Sequence, residues 1–71
     1  MPLRDQLERL IEDMVTRGIR YDDAQREFEK RFIAEALART DGNLGKAAEL
    51  LGMHRNTLRR KMSEYRLRHH A

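Results

Sequence analysis

The chain has 71 residues, a net charge of +3 and no cysteine, which limits it to one small domain and excludes disulfides and thiolate metal sites. No apolar run is longer than the three residues of Phe32 to Ala34, which is too short for a membrane span or a signal-peptide core. Residues 1–43 contain eight Lys or Arg against ten Asp or Glu, whereas residues 44–71 contain seven against two. A nearly neutral first part followed by a basic end favours a scaffold with a surface for a polyanion.

The start of the chain predicts an amphipathic helix with close to a heptad seam. Pro2 stands where a first helical turn tolerates proline. Gly18 is placed to end the helix in a left-handed conformation, and Ile19 would then fold back toward Met14. The apolar seam consists of Leu3, Leu7, Leu10 and Met14, flanked by Ile11 and Val15.

A second helix follows, and two phenylalanines widen its apolar stripe. Asp22 and Gln25 resemble a capping box at its start, and Asp41-Gly42 is the predicted end. The stripe consists of Ala24, Phe28, Phe32, Ile33, Ala36 and Leu37.

These two helices would leave apolar surface in water if one chain folded alone. Since burial is worth about 25 cal/mol per Å² of apolar area, a second copy of the same helical hairpin is the obvious cover. We therefore predict a homodimer built on a four-helix bundle from residues 3–40. The alternative is a compact monomer in which the last two helices cover the seam. The predicted dimer interface consists of Leu7, Leu10, Ile11, Met14, Phe28 and Phe32.

The basic end predicts two shorter helices. Asn43 caps the third helix, which Gly52 stops, and the fourth helix runs from about Arg55 to Arg66. The apolar residues of the two helices are Ala47, Ala48, Leu50 and Leu51, then Leu58, Met62 and Tyr65. Nothing in the chain alternates with period two, so the predicted fold class is all-α with four helices.

Residues 43–62 meet the requirements of a helix-turn-helix. Such a unit needs a small residue where the helices cross, a glycine in the turn and apolar residues on the second helix that face back. Those requirements are met in turn by Ala48, by Gly52 and by Leu58 with Met62.

The fourth helix separates its cations from its apolar stripe. At about 100° per residue, the cations and the stripe fall on opposite sides. In a helix-turn-helix the basic side would enter the major groove, where Arg55 and Asn56 can reach bases. Arg59, Arg60 and Lys61 would straddle the phosphates. The basic side contains Arg55, Asn56, Arg59, Arg60 and Arg66.

The run GNLGKAAELLGMHRNTLRRKMSEYRL resembles the C-terminal helix-turn-helix of the Fis family, named for the factor for inversion stimulation. Similar domains form the C-terminus of bacterial enhancer-binding activators of the nitrogen-regulator class. The segments PLRDQLERLI and FEKRFIAEAL resemble the first two helices of Fis, so the resemblance covers nearly all of residues 2–67. The matching positions are Gly42-Asn43, Ala47-Ala48, Leu51-Gly52, Arg55, Thr57-Leu58 and Arg60-Lys61.

The resemblance implies a homodimer with one recognition helix per subunit in successive major grooves. It assigns base contact to Arg55 and phosphate contact to Asn43, Thr57, Arg59 and Arg60. Two positions depart from the family. His54 replaces a frequent Asn or Ser, which weakens the expected helix cap and alters one base contact. Gly45 replaces a Ser or Thr whose hydroxyl often touches phosphate.

The prediction is therefore one Fis-like domain over residues 1–71, with dimerisation helices in 3–40 and a DNA-binding helix-turn-helix in 43–67. The expected function is sequence-tolerant binding of double-stranded DNA by a bacterial transcriptional regulator or nucleoid-associated protein in the cytoplasm. A larger regulator or RNA polymerase is a further expected partner, and no cofactor, metal, membrane or small-molecule substrate is expected. The predicted base contacts are His54, Arg55 and Asn56, and the predicted phosphate contacts are Asn43, Lys46, Thr57, Arg59, Arg60 and Lys61.

Two other classes of function are weighed against DNA binding. An enzyme is disfavoured, since a helix cap explains Asp22-Asp23 and no nucleophile has a plausible base nearby. Adjacent histidines near a chain end, such as His69-His70, more often do nothing than bind metal. A dimeric interaction module of antitoxin or adaptor type would instead use the basic helix to bind an acidic protein. Steep salt dependence would distinguish DNA binding from that module.

Overall fold

The computed structural model describes residues 2–67, which form four α-helices and no strand. The all-α prediction is confirmed for that part of the chain. Met1 and residues 68–71, and with them His69 and His70, lie outside the described residues. None of the described helices combines the length and hydrophobicity that crossing a bilayer requires. The helices are α1 (Leu3–Thr16), α2 (Tyr21–Arg39), α3 (Leu44–Leu51) and α4 (Arg55–Glu64).

Glycine ends α1 as predicted. Gly18 has a φ of +77°, and its N–H donates to the carbonyl of Val15. The N–H of Ile19 donates to the carbonyl of Met14 at 3.0 Å, which closes the last turn of the helix.

The start of α2 differs from the prediction, and the capping box of Asp22 with Gln25 is wrong. The helix begins at Tyr21, and the capping residue Arg20 makes no side-chain cap hydrogen bond. Because α2 already includes Asp22, this residue does not occupy the cap position. Asp22 lies in the first helical turn instead, where a carboxylate interacts favourably with the positive end of the helix dipole.

A tight turn joins α2 to α3. Asp41 and Gly42 both have positive φ, and the N–H of Gly42 donates to the carbonyl of Leu37 at 2.8 Å. The Thr40 hydroxyl donates to the carbonyl of Ala36 at 2.9 Å. The side chain of Asn43 then accepts from the N–H of Lys46, which confirms Asn43 as the cap of α3.

The core of the chain lies between the C-terminal half of α2, α3 and α4. Every buried residue in the described chain is apolar, so no buried polar side chain needs a partner. Leu51 at the end of α3 and Met53 in the turn pack against this core. The buried residues are Ile33, Ala36, Leu37, Ala47, Ala48, Leu58 and Met62.

The apolar seam of α1 is not covered by the rest of the chain. No residue of α1 is buried, and the side chain of Leu10 is 54% exposed. The rings of Phe28 and Phe32 lie 5.4 Å apart and are also mostly exposed. The compact monomer, in which α3 and α4 cover the seam, is therefore not the structure of this chain. The dimeric bundle stays a prediction.

Candidate nucleic-acid interface

Helices α3 and α4 and the three residues between them form a helix-turn-helix. Gly52 supplies the turn with a φ of +70°, and the N–H of Met53 donates to the carbonyl of Ala48 at 3.0 Å. Ala48 is buried where the helices meet, and Leu58 faces back with 0% of its surface exposed. The small residue, the glycine and the apolar residue thus take the positions that the motif requires.

His54 caps α4 with its ring nitrogen, at the position where Asn or Ser was expected to cap. Its Nδ1 atom accepts a hydrogen bond from the N–H of Asn56 at 3.1 Å. A neutral imidazole with an unprotonated Nδ1 can accept in this way, as an Asn or Ser oxygen would.

The C-terminus of α4 comes slightly earlier than predicted. The helix ends at Glu64, and Arg66 adopts a left-handed φ of +56°. The N–H of Leu67 donates to the carbonyl of Met62 at 2.8 Å and closes the end. Arg66 therefore lies beyond the helix and does not extend its basic face.

The basic face consists of exposed cations without anionic partners. Within residues 2–67, none of the cations of this face forms an ion pair. By contrast, Arg17 directly after α1, and Arg31 and Arg39 of α2, each pair with a carboxylate four residues earlier, at 2.9–3.4 Å. The basic face consists of Lys46, Arg55, Arg59 and Arg60, all exposed.

The remaining predicted contacts lie near these cations, and all of them except Thr57 and Lys61 are exposed. Asn43, Lys46, His54 and Arg55 line one open cleft between the start of α3 and the start of α4. Asn56 is exposed in the first turn of α4. Thr57, also in the first turn of α4, is half-buried.

Lys61 is placed differently from the other predicted phosphate contacts. Its Nζ lies 3.0 Å from Oε2 of Glu29, and both side chains are about one-quarter exposed. The hydroxyl of Tyr65 donates to Oε1 of the same carboxylate at 2.6 Å. Lys61 and Tyr65 therefore attach α4 to α2 through Glu29.

These contacts change the acid–base properties of both partners. The hydrogen bonds from Tyr65 and Lys61 lower the pKa of the Glu29 carboxyl, because they favour its charged form. The hydrogen bond to Glu29 raises the pKa of Tyr65, because the neutral phenol is the donor. Sequence reasoning missed Glu29, because its partners lie 32 and 36 residues away and no local pattern joins them.

The fold and the exposed cations together define a helix-turn-helix protein with a basic outer face. The model of the family described as "Bacterial regulatory protein, Fis family" matches residues 24–65. The chain therefore belongs to the Fis family of bacterial regulatory proteins, and the predicted resemblance is confirmed. That family is regulatory and not enzymatic.

Individual relatives agree with the family assignment. The chain is 42% identical over 62 residues to the DNA-binding transcriptional regulator NtrC of Azospirillum brasilense, covering 87% of this chain and 13% of that protein. It is 47% identical over 47 residues to a Xylella fastidiosa protein that bears the name Fis-like DNA-binding protein, covering 66% of this chain and 52% of that one. The chain thus spans about half of one relative and a small part of the other. No solved structure gives a significant match.

Proposed function

We propose that this chain binds double-stranded DNA as a transcription regulator, with α4 as the recognition helix in the major groove. The observation that supports this most directly is the group of exposed, unpaired cations on the outer side of α4. Unpaired guanidinium groups are free to exchange their counterions for phosphates, which is the main source of affinity for DNA. The names of the NtrC and Fis-like relatives support the same function.

The position of each cation on α4 suggests its role. Arg55 begins the helix, so its guanidinium can approach a guanine edge, where arginine makes its commonest specific contact. Asn56 and His54 flank it as further base contacts. Arg59 and Arg60 lie about one turn further along and contact phosphates.

Other predicted phosphate contacts come from both helices. Lys46 and Asn43 lie at the start of α3, where N–H groups and side chains meet a phosphate favourably. Thr57 adds a hydroxyl. Lys61 contributes positive potential from its place beside Glu29, and it would have to leave that carboxylate to touch a phosphate itself.

The acting unit is a homodimer. The exposed seam of α1 and the exposed phenylalanines of α2 are apolar surfaces that a second copy can cover. Two subunits would present two recognition helices to successive major grooves, as dimeric helix-turn-helix proteins do. Such a protein would act in the cytoplasm at the nucleoid, beside a larger regulator or RNA polymerase.

The test is a salt titration of affinity for duplexes selected from a random pool. Log affinity should fall linearly with log salt, with a slope of about −0.9 per phosphate contact. Arg55→Ala should remove about 1–3 kcal/mol of discrimination at one base pair in each half-site. Arg17→Ala is the matched control, because it removes the same charge from α1, where Arg17 is paired with Asp13.

An acidic-protein adaptor would give the opposite result. Duplex DNA would not be retained at moderate salt, while an acidic partner would bind tightly. Equal effects of Arg55→Ala and Arg17→Ala on base preference would refute the site assignment.

A further inference from the structure

Gly45 is unusual among the glycines of this chain, because its backbone does not require glycine. Gly18, Gly42 and Gly52 have positive φ and end helices or form turns. Gly45 lies inside α3 and has no positive φ, so any residue could adopt its backbone conformation. Glycine in a helix weakens that helix relative to alanine. Its presence at this position therefore needs an explanation outside the backbone.

The guanidinium group of Arg55 lies close to Gly45, where it would be crowded by an added side chain. A Cβ atom built on Gly45 would lie 3.1 Å from Nη2 of Arg55 and 3.8 Å from its Cζ. Both residues line the open cleft between the start of α3 and the start of α4, which has a volume of about 580 Å³. Since Arg55 makes no ion pair within residues 2–67, this packing is what the structure offers to orient it.

We propose that Gly45 is a specificity-determining position that sets the direction in which Arg55 approaches a base. The inference rests on the proposed role of Arg55 as a base contact. Because a bidentate arginine–guanine contact depends on the orientation of a planar group, a small displacement of the guanidinium disturbs recognition. The same displacement leaves the charge in place, so phosphate attraction is unaffected. Gly45 thus acts on sequence preference and not on general affinity.

Two substitutions of graded size test this proposal. Gly45→Ala places Cβ 3.1 Å from Nη2, so the guanidinium must move by a few tenths of an ångström. Gly45→Gln fills the cleft with a longer side chain that is also a good helix former. Both variants should fold at least as stably as the parent protein, since each replaces a helical glycine.

The expected readout is a loss of discrimination with general affinity retained. Gly45→Gln should reduce discrimination at the base pair contacted by Arg55 by about fivefold or more, the lower end of what a good arginine–base contact provides. Gly45→Ala should have a smaller effect in the same direction. Affinity for non-specific duplex should change by less than about twofold, and the salt slope by clearly less than the roughly 0.9 of one phosphate contact, because no cation is removed.

Double variants identify the route of the effect and separate it from the proposed function. In an Arg55→Ala background, Gly45→Gln should no longer change base preference, whereas in an Arg59→Ala background it should still do so. A preference change that persists without Arg55 would overturn the proposal. So would unchanged preference in Gly45→Gln when Arg55→Ala alone alters preference, which would leave the proposed function intact. If Arg55→Ala has no effect on preference, the base-contact role fails and the role of Gly45 fails with it.

Discussion

The two halves of this molecule place their apolar and charged side chains in opposite ways. In α1 and the start of α2, the large apolar side chains are exposed and arginines such as Arg17 and Arg31 pair with carboxylates on their own helix. From Ile33 onward, the large apolar side chains other than Leu50 are buried or half-buried around one core. The arginines of α4 are exposed and form no ion pair within residues 2–67. The first half exposes an apolar surface that a second copy could bury. The second half forms its own core and exposes its charged side chains to solvent.

This difference shows why a short chain can combine two surfaces. A chain of this size builds only a small core, here shared by three helices. The apolar residues left outside that core form the exposed seam that the proposed dimer would cover. The core in turn fixes the exposed basic face, so binding does not require α4 to fold on its ligand.

The largest expected effect comes from a charge in the exposed seam. Leu10→Asp should separate the dimer, because a buried, unpaired carboxylate costs several kcal/mol. Sedimentation equilibrium at micromolar concentration should show monomer for this variant and dimer for the parent protein. Leu50→Asp is the matched control, since Leu50 of α3 is 59% exposed and lies outside the predicted interface.

Phe28→Asp should behave like Leu10→Asp, because both residues belong to the predicted interface. A parent protein that sediments as a monomer would remove the contrast between the halves. If Leu50→Asp dissociated the dimer and Leu10→Asp did not, the interface would lie on α3 and not on α1, which would contradict the prediction.

The second effect tests whether the other half is a closed core. Leu58→Ala should lower the free energy of unfolding by about 2–5 kcal/mol, since it removes a fully buried side chain and leaves a cavity. Urea denaturation measures this change. Leu50→Ala on the surface of α3 should change the same quantity by about 0.5 kcal/mol or less. Similar costs at the two leucines would contradict the position of the core.

The third effect concerns the unpaired and paired arginines. Arg59→Ala should weaken binding to all duplexes alike, by about three- to tenfold, and make the salt slope shallower by about 1. Arg17→Ala should leave both quantities unchanged, although it removes the same charge. Fluorescence anisotropy at several salt concentrations measures both. If the two variants weaken binding equally, overall charge and not the face of α4 determines affinity.

The sequence predicted the elements that local rules determine. The glycine ends of α1 and α3, the Asn43 cap and the buried positions Leu58 and Met62 follow from periodicity and capping, and all are confirmed. The capping box was wrong, because α2 begins at Tyr21 with Arg20 at its cap position, which places Asp22 inside the first turn.

Features that depend on three-dimensional packing could not be predicted. The attachment of Lys61 to Glu29 joins residues far apart in sequence, whereas Lys61 was predicted to contact phosphate because it follows Arg59 and Arg60 in the chain. Likewise, Gly45 was noted only as a missing hydroxyl, because its packing against Arg55 appears when α3 and α4 are docked. The roles of both residues toward DNA stay predictions.

The smallest effect tests the link between the two halves. Glu29→Gln should lower the free energy of unfolding at neutral pH by about 0.5–1 kcal/mol, because a charged acceptor of two hydrogen bonds becomes neutral. Thermal unfolding should shift by a few degrees, measured by circular dichroism. Glu27→Gln is the matched control, since its pair with Arg31 is exposed on both sides and contributes little.

The pH dependence of that difference identifies its cause. The pKa of Glu29 is lowered in the folded state from its ordinary value of 4.5, so its stabilising effect is present above about pH 4.5 and is lost as pH falls through the folded pKa. The pKa of Tyr65 is raised from 10.0, so its effect is present below about pH 10 and is lost as pH rises through the folded pKa. The stability difference between parent protein and Glu29→Gln should therefore be constant near neutral pH and shrink in acid. A difference that does not shrink as the pH is lowered through the acid range would mean that packing, and not the carboxylate, holds α4 against α2.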